Sequence, residues 1–357
     1  MIYLLLCSGL FMGWSLGSVD SASAFGTAVA TRVVKYRTAV IIIAIMVLIG
    51  AWVAGENNIG KLSELATSNE VLASKDDVIA SVEADTVEQL RLKSTIKAAI
   101  IFACAALTVS IMTRLNLPVS SNQAITGSII GWGLCYADYS NPAVVGVNLP
   151  QIGKFASTWL LNPLGAGIIS FLLVYTVNRF LTQRLSTLGA YDKIIKYGYL
   201  CAGVFAAYSI GANTSASVTA LYYDAWYAET GVITNLLTNP QLTAFIGGVA
   251  IAIGAITYSK RVMMTVGNGI AQITQMDGFL VVIAMALTVL IMGKLLGIPV
   301  SNSQAIVGAV MGAGLTRGVK NVNFGKFKKI AVAWVTSPTA AGLLTYLVAL
   351  CTRSYFG

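Results

Sequence analysis

The sequence predicts an all-α polytopic membrane protein, with about ten membrane segments, some of them broken, arranged as two inverted repeats. Composition, the spacing of apolar runs and internal self-similarity carry that prediction. Of the 357 residues, 56% are hydrophobic and 10% charged, and the mean hydropathy is +0.77. A surface that must be wetted cannot be built from such a composition. Stretches such as 39–53, 98–112 and 330–351 carry no charge. They approach the ~20 residues that a helix needs to cross a ~30 Å hydrocarbon core.

Ten such segments fall near 1–30, 38–55, 94–113, 117–135, 155–178, 198–220, 241–258, 278–297, 299–316 and 329–350. Residues 1–16 lack the basic start of a signal peptide and read as part of the first segment. That segment is long and holds Gly13, Gly17 and Asp20, which suggests a break or kink. Loop charge sets the orientation. Arg32, Lys35 and Arg37 form one basic loop, and Arg179, Arg184, Lys193 and Lys196 a second. Lys260 and Arg261 form a third, and Arg317, Lys320, Lys326, Lys328 and Lys329 a fourth. The stretch 56–93 is acidic, with eight Asp or Glu against four Lys or Arg. The excess of cations on cytoplasmic loops puts the basic loops inside the cell membrane, and 56–93 and both termini outside. The net charge of +9 is thereby explained without a nucleic-acid partner.

Residues 117–134 read LPVSSNQAITGSIIGWGL and residues 298–315 read IPVSNSQAIVGAVMGAGL, identical at ten of eighteen positions. Two further pairs follow in the same order: GSVDSASAF (17–25) with GANTSASVT (211–219), and Trp159/Pro163 with Trp334/Pro338. The first repeat spans 1–178 and includes the acidic connector. A basic loop covers 179–197, and the second repeat spans 198–357. Five segments per half is an odd number, so the second copy of each motif traverses the membrane in the opposite sense. That is a plan used by secondary transporters, with the substrate site between the repeats.

Several function classes drop out. The chain contains no histidine, which removes His metal sites, His bases and His proton relays. No Walker A sequence or nucleophile triad is present, so neither ATP hydrolysis nor another enzymatic activity is expected, and no cofactor is implied. The five cysteines have no paired spacing, and four lie in apolar runs as packing residues.

The polar motifs remain. In each PVS copy a proline is followed by hydroxyl and amide residues and then by a small-residue helix: Ser120, Ser121 and Gln123 in the first, Ser301, Ser303 and Gln304 in the second. Serine there suits an N-cap, and a helix beginning within the membrane presents unpaired N–H groups and a partial positive charge. Two such ends would form an anion site without a full cation. Simple turn capping is the plainer reading of either copy alone. Glycine followed by a polar run, at 17–23 and 211–217, suggests unwound backbone facing a wet cavity. Asp20 is the acidic residue well inside an apolar segment and is costly there unless used. It reads as a site for a cation or a proton, or as an acceptor for a protonated substrate oxygen, with a cap at a helix break as the plainer reading; Asn213, Thr214, Ser215 and Ser217 offer oxygens suited to Na⁺. Gly127 and Gly131, like Gly308 and Gly312, read as close helix contacts. Trp159 and Trp334 read as interface anchors or packing residues.

At these residues the sequence resembles the inorganic phosphate transporter family, which includes phosphate carriers and some sulfate permeases. The likeness covers nearly the whole chain and rests on the PVS repeats together with 260–267 and Gly278-Phe279. It implies a substrate set of Ser120, Ser121, Gln123, Ser301, Ser303, Gln304, Asp20 and Thr214. It also implies a coupling-ion set, for Na⁺ or H⁺, of Asp20, Ser23, Asn213 and Ser217. The chain departs from the family pattern where Thr214 replaces a second aspartate, Val19 replaces an asparagine, and Gln123 and Gln304 replace histidines. Hydrogen phosphate carries a proton that a carboxylate can accept, whereas sulfate carries none. Losing one aspartate therefore narrows the choice, with phosphate ahead of sulfate by a small margin. An anion channel using the same donors is the alternative of another class. Carriers of this size often form homodimers, though no dimer motif stands above ordinary helix packing.

Overall fold

The computed structural model describes residues 2–58, 84–136, 149–180, 188–226, 239–296 and 300–356. The described residues form helices α1 (Ile2–Ala30), α2 (Tyr36–Ala54), α3 (Ala84–Arg114), α4 (Ser121–Cys135), α5 (Leu149–Phe180) and α6 (Leu188–Trp226). They continue as α7 (Pro240–Tyr258), α8 (Lys260–Asn268), α9 (Gln275–Leu296), α10 (Asn302–Leu315), α11 (Phe324–Cys351) and α12 (Arg353–Phe356). Most of the acidic connector lies outside the described residues.

Local chemistry starts these helices where the sequence marks them. Asn239 caps α7, accepting from the N–H groups of Gln241 and Leu242, with Pro240 in the first turn. Asn323 caps α11 by accepting from Lys326 N at 2.9 Å. Among the described residues, seven helices are long and apolar enough to cross a membrane: α2, α3, α5, α6, α7, α9 and α11. The remaining three predicted segments correspond to α1, α4 and α10. Large apolar side chains cover the outside, including Val335 at 69%, Leu160 at 65% and Ile168 at 61% exposure. A bilayer removes that surface from water, so this is a multi-pass membrane protein.

Two sequence expectations need correction. No break occurs in the first segment, because α1 is helical through Gly13, Gly17 and Asp20, and the 211–217 stretch is equally helical within α6. Those glycines serve packing. A methyl group on Gly17 would strike the Ile251 carbonyl of α7, and one on Gly211 the Val47 carbonyl of α2. The cysteines also divide differently. Cys104 and Cys135 are buried, whereas Cys7, Cys201 and Cys351 face outward.

The two contacts just named are repeat-mates of each other, and the pattern continues. Gly50 of α2 meets Tyr208 of α6, and Gly254 of α7 meets Trp14 of α1. Gly127 and Gly131 of α4 meet Pro338 and Gly342 of α11; Gly308 and Gly312 of α10 meet Pro163 and Gly167 of α5. Each half thus packs against the other through exchanged, equivalent helices. The same registers give direction: α4 runs parallel to α11, and α10 runs parallel to α5.

One end of the molecule gathers the basic loops. Asp277, fully buried in the first turn of α9, accepts from Arg317 at 2.7 Å, from Thr274 N at 3.0 Å and from Asn178 of α5 at 3.2 Å. Ile270 accepts from Asn323 N at the start of α11, and the Lys260 ammonium lies over the Tyr36 ring. The C-terminus of α5 and the N-terminus of α11 therefore share this end. It follows that α5 and α11 run in opposite directions, and with them α10 and α4.

The close carbonyl contacts predict a paired result. Gly127→Ala and its mate Gly308→Ala should each destabilise the protein by ~1–3 kcal/mol through overpacking. Gly153→Ala, at a helical position with nothing within 4 Å, should be neutral or stabilising by up to ~1 kcal/mol. Melting curves of the three variants in detergent check this.

Candidate functional site

Both PVS motifs form the N-cap that their sequence suggests. Ser120 Oγ accepts from Gln123 N at 3.4 Å to open α4, and Ser301 Oγ accepts from Gln304 N at 3.3 Å to open α10. With 15 and 14 residues, the helices extend only about 22 and 21 Å, short of a full hydrocarbon core. Their starts meet: Ser303 donates to the Val119 carbonyl at 2.8 Å. Because α4 and α10 run apart from that contact, two positive helix ends face each other inside the protein.

The hydroxyl protons can be followed one by one. Ser303 spends its proton on Val119. In the Ser301–Ser303 pair, at 3.0 Å, Ser301 must then be the donor. Neither hydroxyl keeps a proton for a ligand, so these two serines build the site and leave donation to others. Among the described residues, buried polar atoms without a hydrogen-bond partner concentrate here: Ser121 Oγ, Gln123 Oε1, both carboxamide atoms of Gln304, Asn162 Oδ1 and Ser337 Oγ. Unpartnered buried groups are costly and rare in a finished fold. Six such atoms around two helix starts define a site equipped to hydrogen-bond something else.

Asn162 and Ser337 are repeat-mates that sequence reasoning passed over. Their signal was in view, as the residue before each proline of the Trp159/Pro163 and Trp334/Pro338 pair. Asn162 donates to the Ser301 carbonyl at 2.7 Å. Trp334 is buried and donates from Nε1 to the Pro118 carbonyl at 3.2 Å, so it positions the α4 start instead of lying at a membrane interface.

The 17–23 and 211–217 motifs are dispersed around continuous helices. Successive side chains point ~100° apart. Asn213 donates to the Val300 carbonyl at 3.2 Å, and Thr214 stands next to the Asp20 carboxyl. Ser215 lies against Gly55. Ser23 donates to the Asp20 backbone carbonyl at 2.6 Å. The side chain of Ser217 lies outside the described residues. Asp20 is buried, and Asn213, the neighbour of Thr214 in the chain, ties this part of α6 to the start of α10.

A cleft of about 1160 Å³ runs between α5 and α11, with Gln123 and Gln304 among its lining. Leu160, Leu164, Val335 and Leu343, all exposed, line its outer wall, and Gln123 and Gln304 are buried.

Opposed helices too short to span the core, in a shell of membrane-crossing helices, define a polytopic membrane transporter. A family model described as the phosphate transporter family matches residues 16–345, and the chain belongs to that family. Relatives named "Putative phosphate permease" occur in Thermococcus kodakarensis, 26% identical over 95% of both chains, and in Pyrococcus horikoshii, 27% identical over 97% of this chain and 96% of its own. A solved structure described as "The sodium-dependent phosphate transporter" has the same fold, with a TM-score of 0.74 over 99% of this chain and 98% of its own at 22% identity.

The repeat predicts how the site is held together. Val19 is the mate of Asn213, so no asparagine serves the Val119 carbonyl from α1; Ser303 does that instead. Ser303→Ala should leave that carbonyl unpaired and cost ~1–3 kcal/mol. Adding Val19→Asn should restore most of the loss, whereas Val19→Asn alone should destabilise. Melting temperatures of the three variants test the assignment.

Proposed function

We propose that this chain is a secondary active transporter of phosphate, bound between the starts of α4 and α10 and coupled to Na⁺ or H⁺ at Asp20. Its two halves act as inverted repeats around that site. The observation that carries this reading is the cluster of unpartnered buried polar atoms at two opposed helix N-termini. Such ends carry about half a positive charge each, enough to hold an anion and weak enough to release it. Ser121, Gln123 and Gln304 supply the side-chain hydrogen bonds. Ser120, Ser301 and Ser303 fix the geometry.

Coupling follows from charge. Ionised Asp20, buried in the same apolar interior, repels an approaching phosphate through space. A cation or proton on the carboxyl removes that repulsion, so each site fills more readily when the other is occupied. A carboxylate with a neighbouring hydroxyl suits a hard cation as well as a proton. The gathering of basic loops at one end supports a cytoplasmic assignment for that end in the cell membrane, with both termini outside.

Labelled phosphate uptake into proteoliposomes, under imposed Na⁺ or pH gradients, tests the function. Gradient-driven accumulation is expected; the absence of phosphate movement in either gradient contradicts the proposal. Asp20→Asn should remove the gradient dependence, an effect in the ~5- to 150-fold range of site–site coupling. An unchanged ion dependence in that variant takes Asp20 out of the mechanism.

A further inference from the structure

Resting on the oxyanion site just described, we propose that Asn162 is a specificity-determining residue that accepts a hydrogen bond from the proton of the bound oxyanion, and so selects protonated over fully deprotonated tetrahedral anions.

The orientation of the Asn162 carboxamide is set by its neighbour. Its Nδ2 lies 2.7 Å from the Ser301 carbonyl. The flipped amide would set two oxygens against each other, so the nitrogen belongs where it is. That leaves Oδ1 as an acceptor with no partner among the described residues, on a side chain with no solvent exposure. The bond to the N-cap carbonyl of α10 holds this side chain at the start of the helix that Gln304 helps to open. Gln123 and Gln304 are not fixed in this way: either amide can rotate to present N–H to an anion.

An immovable acceptor at an anion site is a liability unless the anion brings a proton. Hydrogen phosphate and hydrogen arsenate do. Sulfate and selenate have the same tetrahedral shape and the same double charge as the monohydrogen dianions, but no proton at neutral pH. In place of a hydrogen bond they would set an oxygen against Oδ1 and leave a buried acceptor unpaired. A site built around a ligand hydroxyl rejects the analogue lacking it far more sharply than a matched shape could. The repeat-mate of Asn162 is Ser337, also buried and unpartnered, but its hydroxyl rotates and can donate or accept. Only the α5 side of the site therefore demands a proton, and a residue of the Ser337 type at position 162 should relax the demand.

The test is equilibrium binding of labelled phosphate to the purified full chain at neutral pH, displaced by unlabelled arsenate or sulfate. For the wild type, arsenate should displace phosphate at concentrations similar to phosphate itself, and sulfate should need about 10- to 100-fold more. Asn162→Ser should narrow that gap by roughly tenfold while retaining phosphate binding. Asn162→Ala, which removes the acceptor without adding a charge, should narrow it likewise, and melting curves check that both variants fold. Sulfate matching arsenate in the wild type, or an unchanged gap in Asn162→Ser, overturns the inference. Wild-type protein that binds no phosphate overturns the carrier reading and this inference together, whereas phosphate binding without proton discrimination overturns the inference alone.

Discussion

Everything in this molecule depends on bringing two helix N-termini together inside an apolar shell. Water is scarce there, so the unpaired N–H groups at each end cannot be left to solvent. The protein meets that constraint in layers. Ser120 and Ser301 cap their own helices, Ser303 ties one start to the other, and Trp334 and Asn162 hold the Pro118 and Ser301 carbonyls. Behind them, Gly127, Gly131, Gly308 and Gly312 let α4 and α10 lie directly on the backbones of α11 and α5. The short helices are thus held by neighbours long enough to cross the bilayer.

The two halves have diverged where chemistry needs asymmetry. Asp20 and Thr214 are mates, giving one carboxyl and one hydroxyl where perfect symmetry would give two of a kind. Val19 and Asn213 are mates, and the donor missing from α1 is replaced by Ser303 from the other half. Asn162 and Ser337 are mates, one fixed and one free to rotate. Asp277 shows the opposite use of a buried carboxylate. Its oxygens are satisfied by Arg317, Thr274 and Asn178, which makes it a clasp between α5, α9 and the end of α10. Asp20 has no ion-pair partner among the described residues, and its proposed coupling role rests on that difference.

The segment pattern was legible in the sequence because lipid imposes a length and a polarity that composition records. The helix starts at Ser120 and Ser301 were legible because capping is local chemistry. Gly17 and Gly211 were misread as unwinding. A glycine that admits a neighbouring carbonyl and a glycine that breaks a helix look alike in one dimension, and only the approach of Ile251 and Val47 separates them. Asn162 and Ser337 were missed because one polar residue in an apolar helix has no periodicity, and its meaning comes from the Ser301 carbonyl or the α4 start across the fold. The proton bookkeeping at Ser301 and Ser303 was equally invisible, since it depends on Val119 in the other half.

The central claim is that an oxyanion sits between the starts of α4 and α10. The most direct measurement is an anomalous-scattering crystal structure of the protein with arsenate bound. The account predicts one arsenic peak within hydrogen-bonding reach of Ser121, Gln304 and Asn162. A peak at any other location in the membrane-spanning region, with none at the paired helix starts under saturating arsenate, would contradict it.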